Sequence, residues 1–334
     1  MKTKDVLLEE IKDKLLENTG ITIFYSDSKR EKNKNSVAKI KEEYFVVVVK
    51  PEITQGNKGI VLQQLKDASR EENLPVLLIT KYIPSVITKS FVEEGINYMD
   101  AAGNCNIQHN SIVLIVDGKK TERLPKTNQP RAFQEAGIKL IYCLLVNPDN
   151  INKSFRELSE LSQISLGSVS TIVQELVDSK FLLKTQNKKI LKNKIDLLKR
   201  WVIAYNDVLR PKLFMKRMNF MNKSEYSNWS GLDLSSVSEK SLWGGECAAS
   251  IMTKNLTPSN FTIYTNTTWQ SLGKSLKLIP DENGKIEILR LFYDTEEGNT
   301  VSPLLTYADL MGSGDSRNIE TAEIILNNEL QYLK

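Results

Sequence analysis

The chain has 334 residues, 45 Lys and Arg against 41 Asp and Glu, and a net charge of +4, a length that calls for two or three domains. It is 40% hydrophobic and 26% charged, an ordinary globular balance; no apolar run is long enough to span a bilayer, and the Met1–Asp5 start is not a signal-peptide core, so the expected compartment is the cytoplasm. A single histidine, His109, excludes a histidine-rich metal centre or a repeated histidine acid/base pair, and the dispersed Cys105, Cys143 and Cys247 point to neither zinc nor disulfides, so no cofactor and no metal are expected.

Residues 1–124 read as an α/β domain. A helix is expected over 3–18, with Val6, Leu7, Ile11, Leu15 and Leu16 inward. Strands follow at Ile21–Tyr25 and Tyr44–Val49, the second continuous enough to be buried on both faces. Then come a helix at 58–70, a strand at Pro75–Thr80, a helix at 84–94, and late strands at Ile96–Met99, Asn104–Gln108 and Ile112–Val116. This order is similar to the restriction-endonuclease-like core, whose metal site needs an acid two residues before a strand lysine. Lys50 is present but the acid position is Val48, with Glu42, Glu43 and Glu52 displaced. The expectation is therefore a degenerate, non-catalytic relative. Asp100 and Asn104 flank Gly103 and are candidate ligand contacts, although a tight turn accounts for them as well. His109, in Gln108-His109-Asn110, reads as a surface turn residue.

A polar linker at 125–131, with two prolines, leads to Gly137 and a domain over 133–192. Ile138, Leu140, Ile141, Leu144 and Leu145 supply a first helix. Ser154 and Glu157 form a capping box, with Phe155, Leu158 and Leu161 on one face of the second helix. After a break at 162–165, Ser165 caps a third, whose stripe is Leu166, Val169, Ile172, Val173 and Leu176. Gly167, Ser168, Ser170, Thr171 and Gln174 are left on its outer face. Phe181-Leu182-Leu183 and Ile190-Leu191 flank the basic hairpin tip Gln186-Asn187-Lys188-Lys189. Three helices and a hairpin are the pattern of a winged helix-turn-helix, in which the third helix enters the major groove.

Charge is concentrated beside it. Residues 180–223 hold 13 basic and 2 acidic residues, a local +11; from 224 onward the balance is 8 basic to 15 acidic, or −7. Such a block suits phosphate contacts. The expected DNA contacts are Ser165, Gly167, Ser168, Ser170, Thr171, Gln174, Lys184, Lys188, Lys189, Lys192, Lys194 and Arg200, with the basic footprint continuing to Arg217. A basic helical connector is expected over 193–224, with Leu197, Trp201, Ile203, Tyr205 and Val208 inward, then a looser segment over 221–240.

Residues 225–334 read as an α+β domain. Trp243–Ser250 opens a helix, Phe261–Thr265 and Ile286–Phe292 are strands, and Pro303–Leu310 and Arg317–Leu333 are helices. Gly312–Asn318 has the look of a phosphate cradle, but it lacks the P-loop lysine and reads better as a capped helix entry. Glu246, Asp315, Arg317 and Asn318 are candidate ligand or partner contacts.

Five strings carry a family resemblance: EGINYMDAAGN at 94–104, SLGSV at 165–169, RWVIAYNDVLRPKL at 200–213, WGGECAA at 243–249 and YADLMGSGDSRNIETA at 307–322. In this order they resemble the AbiEi-like antitoxins of type IV toxin–antitoxin systems, in the branch with an extra N-terminal domain. The resemblance implies a bacterial autorepressor that binds repeats in its own promoter, allows a homodimer, and counteracts a nucleotidyltransferase-type toxin without requiring a stable complex. It implies no catalytic residue. The overall expectation is a multidomain α/β + α chain: a degenerate restriction-endonuclease-like domain, a central winged helix-turn-helix and a C-terminal α+β domain. The competing classes are an enzyme acting on nucleic acid and a winged-helix scaffold for protein contact.

Overall fold

The computed structural model describes residues 3–27, 36–119, 130–186, 188–232, 234, 241–294 and 298–334. The chain divides into two units. One is Met1–Lys126 with Gly314–Ser316; the other is Thr127–Ser313 with Arg317–Lys334.

The first unit carries a seven-stranded sheet. It comprises α1 (Thr3–Thr19), β1 (Ile23–Asp27), β2 (Ser36–Ile40), β3 (Glu43–Val49), α2 (Lys58–Glu72), β4 (Val76–Thr80), α3 (Ser85–Glu93), β5 (Asn97–Asp100), β6 (Cys105–His109) and β7 (Ile112–Val116). Strand order follows the chain from β1 to β7. The first three strands form an antiparallel meander. β3, β4 and β5 are parallel, which requires the crossovers that α2 and α3 supply. Leu7, Ile11 and Leu15 of α1 pack into a core with Ile23, Phe45, Val47, Leu77, Ile79 and Met99. β3 is an interior strand, as its apolar run requires. β2 had no counterpart in the sequence reading. Its Ser-Val-Ala-Lys-Ile is buried at every second position, but Ser, Ala and Lys dilute the β-branched signal.

His109 is not a surface turn residue. It closes β6, opposite Ile112, with its ring edge-on to Phe45 at 5.7 Å and Nε2 3.7 Å from Glu43. Asn110, at φ 47°, makes the turn instead.

The second unit begins with α4 (Glu135–Val146), α5 (Phe155–Ser162), α6 (Leu166–Asp178), β8 (Leu182–Lys184) and β9 (Lys189–Leu191). α7 (Lys194–Ala204), a π-helical turn (Tyr205–Leu209), α8 (Arg210–Leu213), β10 (Phe214–Phe220), α9 (Glu225–Asn228), β11 (Ser241–Gly244) and α10 (Gly245–Thr253) follow. β12 (Phe261–Thr265), α11 (Trp269–Leu276), β13 (Leu278–Pro280), β14 (Ile286–Arg290), α12 (Pro303–Ser313) and α13 (Ser316–Asn328) complete it. The five-stranded sheet has the order β11-β12-β14-β10-β13.

Three expectations need correcting. The helical connector ends early: residues 214–220 are β10, paired with β13 and β14. Val202 rather than Ile203, and Leu209 rather than Val208, are buried. Trp229, in the stretch taken as loose, is buried in the sheet's core. Of the expected linker, residues 125–129 lie outside the described residues, as do 233 and 235–240 of the looser segment and Asn187 of the hairpin tip.

An aromatic cluster joins the α4–β9 stretch to the rest of this unit. The Tyr142 ring of α4 lies 5.2 Å from Phe292 and 5.9 Å from Trp201, which stacks on Tyr205 at 5.3 Å. Tyr142 donates to Ser302 at 2.8 Å, and the Trp201 indole N–H donates to the Ile138 carbonyl at 2.9 Å. These buried polar tips are satisfied, as burial demands.

Candidate nucleic-acid interface

The stretch from α4 to β9 is built from local signals. The Ser154–Glu157 capping box forms in both directions: the Ser154 N–H donates to Glu157 at 2.8 Å and the Glu157 N–H donates to Ser154 Oγ at 3.2 Å. These bonds hold the Glu157 carboxyl below its usual range. α5 ends at Gln163 in the left-handed region, φ 53°. The chain then turns, and Ser165 Oγ accepts from the Ser168 N–H at 3.3 Å to cap α6. Val169, Ile172, Val173 and Leu176 of α6 are buried. Leu166 is not: it is 53% exposed, and Leu161 is 44% exposed. Spacing alone places both inward. Leu166 is the first residue of α6, so the stripe that starts at Val169 reaches the core one turn later.

The outward face of α6 carries Gly167, Ser170 and Gln174 exposed, with Ser168 and Thr171 half-buried. The Ser168 hydroxyl lies 2.8 Å from Ser165 Oγ, and Thr171 Oγ1 donates to the Gly167 carbonyl at 3.2 Å. Gln174 Nε2 donates to Asp178 at 2.9 Å, and Lys184 Nζ donates to Gln174 Oε1 at 3.3 Å. That last bond ties the β8–β9 hairpin to α6. The hairpin turn is held by Thr185, whose N–H and hydroxyl both donate to the Lys188 carbonyl, at 2.9 and 2.7 Å.

The basic residues divide into two sets. Lys184, Lys188, Lys192 and Arg200 are exposed and make no ion pair among the described residues. Arg200 is braced by the rings of Phe133 and Phe181, at 4.1 and 5.3 Å, a cation–π contact that leaves its charge outward. Lys189 and Lys194 are turned inward: Lys189 Nζ lies 4.9 Å over Phe155 and donates to Ile151, and Lys194 donates to the Tyr332 carbonyl. Farther along, three of the basic residues are paired. Arg210 pairs with Glu287 at 2.7 Å and Asp309 at 3.1 Å, Arg217 with Glu287 at 2.5 Å, and Lys212 with Glu135 at 2.9 Å. A count along the sequence saw no acidic partners nearby; folding brings them in from distant segments. The basic charge at Arg210, Lys212 and Arg217 is therefore paired within the fold, while Lys216 lies over the Trp269 ring at 5.7 Å and Lys223 is exposed.

The candidate ligand residues sit elsewhere and are largely consumed. In the first unit Asp100 Oδ1 accepts from the Ala102 and Asn104 N–H groups at 3.0 and 2.9 Å, and Oδ2 accepts from the Asn104 amide at 2.8 Å. They close a turn around Gly103, whose φ is +90°. Burial pushes the Asp100 carboxyl up, opposed by these donors. The pair also borders a cavity of about 450 Å³ with Tyr82, Thr88, Tyr98 and Lys119. Lys50 directly follows β3, burial pushing its ammonium pKa down, and the acid position two residues before it is occupied by Val48. Among the described residues no cluster of three or more His, Cys, Asp or Glu is arranged to hold a metal ion.

In the second unit Glu246, only 6% exposed, gathers five donors. Ser259 N–H and Asn260 N–H reach Oε2 at 2.6 and 3.3 Å, Arg317 at 3.3 Å, and the Asn260 and Asn318 amides reach Oε1 at 3.3 and 3.1 Å. Asn318 also donates to Ser313 at 3.1 Å, which fixes the entry to α13. Asp315 belongs to the short segment grouped with the first unit. A second node surrounds Asp309, which accepts from Tyr205 at 3.2 Å, Tyr264 at 3.0 Å, Arg210 and the Gly245 N–H at 3.2 Å. Three of the five resemblance strings thus meet in buried polar nodes that hold the fold. Sequence reading missed the Asp309 node, since its members are spread from residue 205 to residue 309.

These nodes fall within one stretch that matches a known family. Residues 189–333 match the family of AbiEi antitoxins, transcriptional regulators of type IV toxin–antitoxin systems. The resemblance seen in the sequence is the one found. The AbiEi match begins at β9, so α5 and α6 lie upstream of it. No curated protein and no solved structure matches the chain. No helix among the described residues is long and apolar enough to cross a membrane.

Proposed function

We propose that this chain is a DNA-binding autorepressor and the antitoxin of a type IV pair, acting in the cytoplasm against a nucleotidyltransferase-type toxin. α4 to α6 with the β8–β9 hairpin form a winged helix-turn-helix, and α6 is its recognition helix. The observation that carries the reading is the exposed, unpaired row Lys184, Lys188, Lys192 and Arg200 beside the capped and outward-facing α6, directly upstream of an AbiEi-type segment. Positive charge without acidic partners beside a small-residue helix face suits phosphate contacts flanking a groove. The first unit, with its α1-β1-β2-β3-α2-β4 order and Lys50 lacking an acidic neighbour, is best read as a degenerate restriction-endonuclease-like domain.

The test is duplex binding by the full chain. Ser170→Glu places a carboxylate on the groove-facing side and abolishes binding. Lys184→Ala with Lys188→Ala weakens binding equally on all sequences. A chain that retains full affinity with both changes uses this module for protein contact instead. Antitoxin action is read by co-expression with the neighbouring reading frame's product: growth is rescued by the chain, and rescue that fails refutes the antitoxin half of the reading.

A further inference from the structure

The recognition helix lacks the side chains that read bases by paired hydrogen bonds. Guanine is read by Arg or Lys, and adenine by Asn or Gln. From Leu166 to Asp178 there is no Arg, Lys or Asn. The one candidate, Gln174, has its amide nitrogen on Asp178 and its amide oxygen on Lys184. Ser165 and Ser168 are bonded to each other, and the Thr171 hydroxyl is bonded to its own helix backbone.

Ser170 is exposed, but a lone hydroxyl bonds to any base and selects none; the other exposed side chain at the leading end of α6 is apolar. Leu166 stands 53% exposed, one turn from Ser170 on the same face of the helix. Next to Leu166 in the chain, Gly167 has nothing within 4 Å of the position a Cβ would take, so the backbone approaches a partner without obstruction. The major groove presents one apolar base substituent, the thymine C5-methyl. The wing and Arg200 bring the positive charge that seats such a helix on phosphates.

We propose that Leu166 is a subsite for thymine C5-methyl groups. The operator is therefore recognised through A·T pairs in the major groove rather than through guanine. This rests on the reading of α6 as the DNA-facing helix. Specificity comes from methyl burial on Leu166; affinity comes from the lysines.

Replacing thymidine by deoxyuridine removes the C5-methyl and leaves base pairing intact. The full chain first selects duplexes from a random library, and the selected duplex is then made with deoxyuridine at its thymine positions. Wild-type affinity falls about fourfold for each methyl contacted, the equivalent of about 0.8 kcal/mol. Leu166→Ala binds the thymidine duplex more weakly and no longer distinguishes the two duplexes. Its fold is checked by tryptophan fluorescence, which a surface substitution leaves unchanged. Equal wild-type affinity for both duplexes, or a Leu166→Ala chain as sensitive to deoxyuridine as wild type, overturns the subsite while leaving DNA binding standing. Failure to select any duplex overturns both.

Discussion

Replacing Arg210 by Met removes one guanidinium from a buried junction and leaves its volume nearly filled. The Asp309 side chain is 2% exposed and that of Glu287 17%. Glu287 retains Arg217 at 2.5 Å, but Asp309 loses its only cation among the described residues and keeps three neutral donors. Removing one member of a buried ion pair costs about 3–5 kcal/mol, because the other charge stays desolvated. The upper part of that range is offset here by the two tyrosine hydroxyls, so about 3 kcal/mol is expected. All four tryptophans, Trp201, Trp229, Trp243 and Trp269, lie in the second unit. Urea denaturation followed by their fluorescence therefore reports on this unit. Arg210→Met combined with Asp309→Asn leaves no buried unpaired charge at Asp309 and recovers part of the loss. A loss under about 1 kcal/mol, or a double variant no better than the single one, refutes the argument that this node is an electrostatic clasp.

Further outcomes follow from the same geometry. Gly137→Ala places a Cβ 2.3 Å from the Ala132 carbonyl oxygen; that neighbour is backbone, so a loss of about 1–3 kcal/mol is expected in the same denaturation assay. Ser165→Ala removes the α6 cap and costs about 1 kcal/mol, read by the same transition; an unchanged midpoint refutes the cap. For Glu287, burial alone raises the carboxyl pKa, but Arg210 and Arg217 outweigh it and hold it below the ordinary value of 4.5. The folded state then holds that proton less tightly than the unfolded chain. Its stabilisation is full above pH 4.5 and fades as pH falls through the folded value. The stability difference between wild type and Glu287→Gln accordingly narrows in acid; a constant difference contradicts the shift.

Much of the fold was legible because its signals are local. The Ser154–Glu157 box, the Ser165 cap and the α6 stripe from Val169 to Leu176 all occur as read. The apolar run of β3 announced an interior strand. What escaped has physical reasons. β10 lies in a basic stretch, Phe-Met-Lys-Arg-Met-Asn-Phe, and becomes a strand through pairing with β13 and β14, partners more than 50 residues away in sequence. Non-local pairing overrides local propensity at such places. Charge counting misjudged Arg210 and Arg217 for a related reason: Glu287 and Asp309 neutralise them from across the fold. Leu166 shows a third limit. Periodicity assigns a face to a residue but does not say where along the helix the core begins.

The central claim is that the exposed row of basic residues and the recognition helix bind duplex DNA. The most direct measurement is the affinity of the full chain for its promoter duplex as a function of salt. Lys184, Lys188, Lys192 and Arg200 contacting one phosphate each give a plot of log K against log salt with a slope of about −3.6 per bound chain. Alanine at Lys188 reduces the slope by about one. A salt-independent affinity, or no binding at low salt, contradicts the account.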